Sequence, residues 1–354
     1  MPKLHFFTKY TELGASSRYR TFQFLEFYNK VYFISVNSFF DNNYINSVYN
    51  NTKVGYISYL GYYLKRVTYI LLKVKRNDLL FIEYELFPYF PPIFEYFFNL
   101  LGIKFILDYD DAIFHNYDLN RNYFIRFFFK NKIKSIIKKA NVVITGSPYL
   151  TNFAKDYNNN VFEIPTSINY SIYSKRTKKE NNQFTIGWIG TKFTSKNLKL
   201  ISNALIEFSE KEDVSIKLIG FEDAELFQNC SKIQKLKWNK ETEIQSLCSL
   251  DLGIMPLFDL PFENGKCGFK LIQYMACGIP TVSTPLIANC KIDHNNGNLF
   301  ANSDSEWLKC FEDVYHNREK YRTIGLKNKQ TAYEFYSVEK NKDLYLNIFE
   351  NVWN

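Results

Sequence analysis

Short apolar runs alternate along the chain with longer segments in which apolar residues recur every three or four positions. Each run ends at turn residues or at an acidic residue, as a buried strand of a parallel sheet does. The predicted strands are Leu4–Phe7, Leu79–Ile82, Lys104–Leu107, Val142–Thr145, Phe184–Ile189, Val214–Ile219, Leu252–Met255 and Thr281–Ser283. Helices are predicted between them, including one from Arg18, Leu198–Phe208 and Phe269–Ala276. This alternation indicates an α/β fold with helices on both faces of a parallel sheet.

The alternation occurs twice, on either side of a polar and charged stretch at 169–183 that predicts a linker. A length of 354 residues also suits about two domains. We therefore predict two Rossmann-like, doubly wound domains facing a cleft, one at 1–172 and one at 183–330. A C-terminal helical segment at 331–354 follows, with packing against the N-terminal domain as one option. In such sheets ligands bind beyond the carboxyl ends of the strands.

Composition and charge narrow the class of protein. Hydrophobic residues make up 46% and charged residues 23%, a globular composition. No apolar run reaches the roughly 18 residues of a spanning helix, and the N-terminus lacks the apolar core of a signal peptide. The six cysteines form no Cys-x-x-Cys pair and the four histidines are far apart, which predicts a cytoplasmic protein without a metal site. The net charge of +8 favours phosphate-bearing partners or an anionic membrane surface.

The clearest chemical motif is the loop that leads into the predicted helix Phe269–Ala276. The helix N-terminus attracts a diphosphate, and Lys266 adds a full positive charge there. Gln273 follows about two turns along and can bind a hydroxyl group. The alternative is an ordinary surface helix that ends at Gly278 and Pro280.

Segment 251–301 resembles the donor-binding half of family-four retaining glycosyltransferases of the GT-B fold. The resemblance rests on Asp251–Pro256, Tyr274–Pro280 and Asn296–Phe300, and extends to Gly187–Gly190 and Gly14–Arg18. It implies a nucleotide-sugar donor in the second domain, an acceptor in the first, transfer with retention, and no metal or other cofactor. It also implies a front-face route, in which the leaving diphosphate accepts the acceptor proton. The variant of the motif is similar to enzymes of bacterial surface-polysaccharide assembly, such as capsule or lipopolysaccharide.

One departure from the family pattern concerns two carboxylates. The Glu-x7-Glu pair of the family falls here on Gly265 and Gln273, and Glu263 is the nearest carboxylate. Gln273 can still bind ribose hydroxyls, so we expect it to tolerate replacement by glutamate better than by leucine.

Loops after three predicted strands complete the candidate site. The predicted catalytic residues are Lys266, Asp110 and Asp111. The predicted donor-binding residues are Gly190, Thr191, Lys192, Lys196, Glu263, Gly265, Lys266, Lys270 and Gln273. The predicted acceptor-binding residues are Gly14, Ser16, Ser17, Arg18, Arg20 and Asp108.

Each of these loops also has a purely structural interpretation. Thr191 and its neighbours would form a helix cap, and Asp110 or Asp111 would cap the helix that follows. Ser16 or Ser17 is the expected N-cap of the first helix. Two arginines in the first turn of that helix would oppose its dipole, a conflict that an anionic ligand would relieve. The lone His115 is expected to be structural.

Two segments, 62–76 and 121–140, are basic, aromatic and helical in pattern. The first carries Lys65, Arg66, Lys73, Lys75 and Arg76, and in the second Arg126, Lys130, Lys134 and Lys138 recur every four residues. Such helices suit an anionic membrane surface, although a solvated face over the core is the alternative.

We therefore expect a glycosyltransferase that acts on a glycan or polyprenyl-linked acceptor and attaches to the inner face of the cell membrane. No nucleic-acid-binding motif is present in the sequence. Two other functions stay open, namely a nucleotide-sugar epimerase of the same fold and a non-catalytic homologue that binds membrane surfaces. The epimerase would need acid and base groups in the donor half, where the sequence offers few.

Overall fold

The computed structural model describes residues 3–50, 52–175, 183–223, 225–228 and 230–353. The strands of these residues form two six-stranded sheets, and all pairings within each sheet are parallel. The predicted α/β class with two Rossmann-like domains is confirmed. The predicted linker at 169–183 lies partly outside the described residues, since 176–182 are not described.

The chain divides into two compact units. Unit 1 comprises Met1–Thr166, Gly265–Cys267 and Asn341–Asn354, and unit 2 comprises Ser167–Asn264 and Gly268–Lys340. The predicted domains are contiguous stretches of chain, whereas unit 1 draws on three separate stretches. One of them is the tripeptide that carries Lys266.

The sheet of unit 1 has the strand order β2-β1-β3-β4-β5-β6. Its strands are β1 (Lys3–Thr8), β2 (Phe33–Ser38), β3 (Leu79–Glu83), β4 (Lys104–Tyr109), β5 (Val142–Thr145) and β6 (Val161–Glu163). The order reverses between β1 and β3, which is where a doubly wound sheet opens a crevice for ligands. The strands predicted from the sequence do not include β2 and β6, which are edge strands whose residues are largely half-buried or exposed.

The helices before residue 176 are mostly short. They are α1 (Ala15–Arg20), α2 (Leu25–Tyr28), α3 (Asn42–Tyr49), α4 (Tyr56–Lys73), α5 (Ile93–Leu101), α6 (His115–Asp118), α7 (Tyr123–Phe129), α8 (Lys132–Ile137), α9 (Pro148–Lys155) and α10 (Tyr170–Ser174), with a 3-10 turn at Phe22–Phe24. The basic segment 121–140 is thus two helices separated at Lys130 and Asn131.

Both faces of the first sheet are covered by apolar side chains. One face packs against residues of α4, α5, α8 and α9, including Tyr62, Phe98 and Ile133. On the other face, aromatic rings of β1 and of the N-terminal helices meet rings near the C-terminus, with Phe24 and Tyr345 centroids 5.0 Å apart. Burial of these large side chains is what brings residues 341–353 into unit 1.

Arg66 does not belong to a solvent-facing basic stripe, and that prediction is wrong. Its side chain is buried, and its guanidinium donates hydrogen bonds to Asn37 and to the backbone oxygens of Thr8 and Leu86. A guanidinium has five donors, so it is well suited to tie three loop and strand ends together inside a fold.

The sheet of unit 2 has the order β12-β11-β10-β7-β8-β9, that of a Rossmann fold. Its strands are β7 (Phe184–Ile189), β8 (Val214–Ile219), β9 (Ile233–Leu236), β10 (Leu252–Met255), β11 (Thr281–Ser283) and β12 (Leu299–Phe300). The four predicted strands agree with β7, β8, β10 and β11, whereas the short or exposed edge strands β9 and β12 were missed.

The helices of the second half are α11 (Lys192–Ser195), α12 (Ser202–Lys211), α13 (Glu243–Cys248), α14 (Pro261–Asn264), α15 (Phe269–Ala276), α16 (Ile287–Asp293), α17 (Asp304–His316), α18 (Arg318–Tyr336) and α19 (Val338–Trp353). A 3-10 helix at Lys196–Ile201 precedes α12, so the predicted helix Leu198–Phe208 is in fact composite. None of the helices described here is long and apolar enough to cross a membrane.

Candidate functional site

Carboxylates gather at the carboxyl ends of β3 and β4, beside the point where the strand order of unit 1 reverses. Glu83 ends β3 and pairs in register with Asp108 of β4, and Asp110 and Asp111 follow β4 directly. Because neighbouring parallel strands end at the same edge, their terminal side chains must lie together. The three aspartates were predicted for this site, whereas Glu83 was not.

Arg20 and Asp108 form a fully buried ion pair. The Arg20 Nε lies 2.9 Å from Asp108 Oδ2, a second guanidinium nitrogen bonds the other oxygen, and a third donates to the backbone oxygen of Ile164 at 2.7 Å. This two-pronged geometry anchors α1 to β4. For these two residues the geometry supports a structural role, and contact with an acceptor stays a prediction.

The N-terminus of α1 differs from the prediction. Gly14 is the N-cap, without a side-chain hydrogen bond, and Arg18 and Arg20 lie in the last turn of this six-residue helix. The dipole conflict from which an anionic ligand was inferred is therefore absent at α1, because cations near a helix C-terminus are favourable.

The two serines of α1 point at the carboxylates instead of capping the helix. Ser16 Oγ donates to Asp110 at 2.7 Å, and Ser17 Oγ donates to Glu83 at 2.6 Å. The Tyr84 hydroxyl also donates to Asp110. Tyr84 has a φ of 62°, a left-handed conformation that side chains rarely adopt and that often occurs at functional sites.

Lys266 lies beside Asp111, with its Nζ 2.8 Å from Asp111 Oδ1. Burial lowers the pKa of Lys266, but the neighbouring carboxylates of Asp111 and Asp110 outweigh it and hold the pKa above its ordinary value. The ammonium therefore stays charged at neutral pH. Both predicted catalytic aspartates and the predicted catalytic lysine are thus brought together within unit 1.

The backbone around Lys266 explains why glycine precedes it. A Cβ atom on Gly265 would lie 2.4 Å from the Cβ of Ala112, much closer than two carbon atoms can approach. The next residue, Cys267, places its sulfur 2.9 Å from the backbone oxygen of Asp110. A side chain at 265 would therefore displace the Lys266 loop from the segment that follows β4.

The pKa of Glu83 is raised by the surroundings of this side chain in the site. Burial disfavours the carboxylate, the Asp110 charge adds to this effect, and together they raise the pKa of Glu83 to about 7. The hydrogen bonds from Ser17 and from the backbone of Lys9 oppose the shift without cancelling it. The Glu83 carboxyl group therefore gains or loses its proton close to neutral pH.

We predict that Glu83→Gln makes the stability of the protein less dependent on pH. A carboxyl group whose pKa rises on folding contributes stability below its unfolded pKa and loses that contribution as the pH rises through its folded pKa. With an ordinary pKa of 4.5 and a folded value of about 7, the wild type should lose up to about 3 kcal/mol over this window. The melting temperature at pH 5 and pH 8 measures the loss.

The matched control for this experiment is Glu207→Gln, at an exposed glutamate that pairs with Lys211. The control should keep the pH dependence of the wild type. A Glu83→Gln variant that loses as much stability as the wild type between pH 5 and pH 8 would contradict the role assigned to Glu83.

The loop after β7 in unit 2 is a well-formed helix start. Thr191 and Thr194 form a capping box at the beginning of α11, with the Thr191 backbone N–H 3.0 Å from Thr194 Oγ1. Gly190 precedes it, and a Cβ there would lie 2.2 Å from the Trp188 ring. The predicted cap is thus present, and phosphate binding by Thr191 and Lys192 stays a prediction.

Three other predicted donor residues have partners in unit 2. Lys196 Nζ lies 3.1 Å from Glu263, which is buried, while the lysine side chain is half exposed. Lys270 Nζ lies 5.5 Å from the centroid of the Trp188 ring. The Lys196–Glu263 contact connects the loops after β7 and β10, where the strand order of the second sheet reverses.

Gln273 is the centre of a buried polar network that the sequence did not predict. Its side-chain amide donates to Glu243 Oε1 at 2.8 Å and to the Tyr173 hydroxyl at 3.2 Å. The other oxygen of Glu243 accepts a hydrogen bond from the Trp238 ring. A carboxylate therefore stands beside Gln273, although none occupies position 273 itself.

The residues that sequence reasoning missed differ in how visible they are. Glu83 ends an apolar run, which is a signal for a site at a strand end. Tyr84 and Glu243 give no such signal. The left-handed conformation of Tyr84 and the contact of Glu243 with Gln273 arise only in the folded chain.

His115 contacts Asp118 and Tyr149 through its two ring nitrogens. Within the described part of the chain, no three His, Cys, Asp or Glu side chains are placed to hold a metal ion.

Comparison with known protein families gives a match in the second half of the chain. Residues 183–317 match the family model described as glycosyl transferases group 1. A search of curated protein sequences gave no significant match.

Solved structures resemble the whole chain. Sucrose-phosphate synthase from Thermosynechococcus elongatus is 11% identical, with a TM-score of 0.71 over 100% of this chain and 99% of its own. Anabaena HepE, solved with UDP and glucose, is 13% identical, with a TM-score of 0.73 over 99% of this chain and 100% of its own. A glycosyltransferase from Rickettsia africae is 11% identical, with a TM-score of 0.67 over 99% and 98%. At these low sequence identities, the comparison shows that the proteins share a fold.

The family match and the structural likeness agree with each other and with the Rossmann order of the second sheet. Residues 183–317 thus match the glycosyl transferases group 1 model, and the chain as a whole has the fold of GT-B glycosyltransferase structures.

Proposed function

We propose that the protein transfers a sugar, with retention of configuration, from a nucleotide-sugar to a glycan or lipid-linked acceptor in cell-surface polysaccharide synthesis. The observation that carries the proposal is the match of residues 183–317 to the group 1 family, a segment that contains Gln273 and its buried partner Glu243. The structural neighbour HepE was solved with UDP-glucose, which supports a donor of the same chemical class here.

Donor binding in this proposal uses polar groups of unit 2. Gln273, held in place by Glu243 and Tyr173, binds the ribose through the hydrogen-bonding capacity that its amide oxygen retains. The ammonium groups of Lys192 and Lys196, together with the N-terminus of α11, bind the donor phosphates. No metal ion or other cofactor takes part.

Transfer itself uses the group of Lys266, Asp110 and Asp111. As the bond from the sugar to the diphosphate breaks, negative charge grows on the leaving oxygen, and the protonated Lys266 stabilises it. The leaving diphosphate accepts the proton of the acceptor hydroxyl, so no protein nucleophile is needed. Asp110, oriented by Ser16 and Tyr84, and Asp111 hold that hydroxyl in position.

A panel of nucleotide-sugars tests the proposal by thermal shift. A ligand at 100 times its dissociation constant stabilises the folded state by about 2.7 kcal/mol, because it binds only that state. We expect at least one nucleotide-sugar to raise the melting temperature by roughly 3–4 °C. The free sugar, as the control, should leave it unchanged.

A result without any shift across UDP-, GDP-, ADP- and dTDP-sugars would contradict the proposal. Once a donor is found, the anomeric configuration of the product, read by NMR, tests retention. A product of inverted configuration would contradict the front-face route but would not affect the evidence for donor binding.

A further inference from the structure

Unit 1 exposes an unusual number of apolar side chains on three helices. Ile57 is 88% exposed, Leu100 is 79% exposed and Phe124 is 70% exposed. The apolar face, as we name this surface, consists of Ile57, Leu60, Leu64, Leu71 and Leu72 of α4, Ile93, Tyr96, Phe97, Leu100 and Leu101 of α5, and Tyr123, Phe124, Phe127 and Phe128 of α7. Soluble proteins rarely expose a large apolar patch unless it binds something.

Helix α4 is apolar on two opposite sides. Its buried side carries Tyr62 and Ile70, which pack in the core of unit 1. Ile57, Leu64 and Leu71 recur every seven residues and lie roughly opposite, at about 100° per residue. A helix that only covers a core is polar on its outer side, so the outer side of α4 is built for a second apolar environment.

All three helices contribute side chains to the same core of unit 1. The ring centroids of Tyr63 in α4 and Phe90, just before α5, are 6.3 Å apart. Lys139, just after α8, lies 4.3 Å over the ring of Tyr96 in α5. The ring of Tyr117 bridges to α7, 6.0 Å from Phe129. The three helices that carry the apolar face are thus connected through the core that they share.

Exposed lysines lie on or next to these helices, and exposed negative charge is lacking on the helices themselves. Helices α4, α7 and α8 contain no acidic residue, and Glu95 of α5 is buried. Lys65 follows Leu64 in α4, Lys130 follows α7 and Lys138 follows α8, and all three are exposed. Apolar helices edged by lysines complement a bilayer with anionic headgroups.

We propose that the apolar face inserts into the headgroup boundary of an anionic lipid bilayer, with the surrounding lysines at the level of the lipid phosphates. A second copy of the chain fits less well, because a symmetric dimer would oppose the same lysines to one another. Membrane insertion extends the proposed function, because a lipid-linked acceptor would be reached at the bilayer. The proposal depends on the proposed function for that link to the acceptor alone.

Flotation with phosphatidylcholine vesicles, with and without phosphatidylglycerol, tests the proposal. The wild type should float with the anionic vesicles at 0.1 M salt. Part of the binding should persist at 1 M salt, where the Debye length falls from about 10 Å to about 3 Å, because insertion does not depend on charge.

Two sets of substitutions separate the apolar and the charged contribution. Helix α7 has no buried residue, so the combination Phe124→Ser, Phe127→Ser and Phe128→Ser should leave the fold intact. It should lower the partition coefficient about 100-fold on either lipid, since each ring removed from water contributes several-fold. Lys130→Ala with Lys138→Ala should lower it about thirtyfold on anionic vesicles only, which corresponds to about 1 kcal/mol for each lysine.

The matched control removes three exposed apolar side chains outside the face, by Ile172→Ser, Leu326→Ser and Leu344→Ser. It should float like the wild type. The proposal is overturned if the wild type stays unbound at 0.1 M salt, if the phenylalanine variant floats normally, or if light scattering shows a dimer that this variant disrupts. Thermal shift with nucleotide-sugars, measured without vesicles, tests donor binding separately.

Discussion

Replacing Lys266 with alanine should slow sugar transfer by about 100- to 1,000-fold, the usual effect of removing one preorganised group that stabilises developing charge. The structure holds the ammonium 2.8 Å from Asp111 and keeps it protonated, so its charge is in place before the reaction begins. Because this charge acts mainly in the transition state, kcat should fall together with kcat/KM. Steady-state kinetics with the donor found by thermal shift measures both.

Three further variants make the Lys266 result specific. Lys266→Arg keeps the charge and should retain more activity than alanine. Asp111→Asn removes the partner of the lysine and should lower kcat less than Lys266→Ala does. The exposed Lys211, which pairs with Glu207 at the surface, should tolerate alanine without a change in rate. Turnover of Lys266→Ala within a few-fold of the wild type would refute the assignment.

Gln273→Leu should weaken donor binding by about 1–3 kcal/mol, since it leaves ribose hydroxyls without a partner in a desolvated place. The structure adds a cost to Gln273→Glu. The sequence alone predicts that glutamate is tolerated better than leucine, but the amide of Gln273 donates to Glu243, and both side chains are buried. A second carboxylate there would face the first, which strongly disfavours ionisation of one of them.

Exchanging the two side chains should restore much of the stability and of the donor affinity. Gln273→Glu alone should lower the melting temperature and donor affinity, and Glu243→Gln added to it should recover much of both, because one amide again faces one carboxylate. The double-mutant cycle isolates this pairwise interaction from other effects of either change. Purely additive losses in the double variant would show that the Glu243–Gln273 contact carries no free energy.

The α/β class and most strands of both sheets were predictable from the order of residues. Buried strands such as β7 and β10 consist almost entirely of apolar residues, which is the pattern typical of a central strand in a parallel sheet. The edge strands β2 and β9 were missed, and each has only one buried residue, so neither has the fully buried pattern of the central strands. The helix start at 265–268 was likewise visible, since glycine and lysine before an amphipathic helix form a local pattern.

Burial of charge was decided by the tertiary structure alone. Arg20 and Arg66 look like surface residues in the sequence, yet both are buried, because distant oxygen atoms supply the hydrogen bonds that an inward guanidinium needs. The same holds for the raised pKa of Glu83, which depends on a charge 27 positions along the chain at Asp110.

The sequence by itself thus determined the class of fold, the motif at Lys266 and Gln273, and the basic, aromatic character of the first half, because each is written in local patterns of a few residues. Only the tertiary structure decided that Asp111 accompanies Lys266, that Glu243 accompanies Gln273, and that three helices turn apolar sides outward. These features depend on contacts between residues far apart in the chain, and on which face of a helix the sheet leaves uncovered.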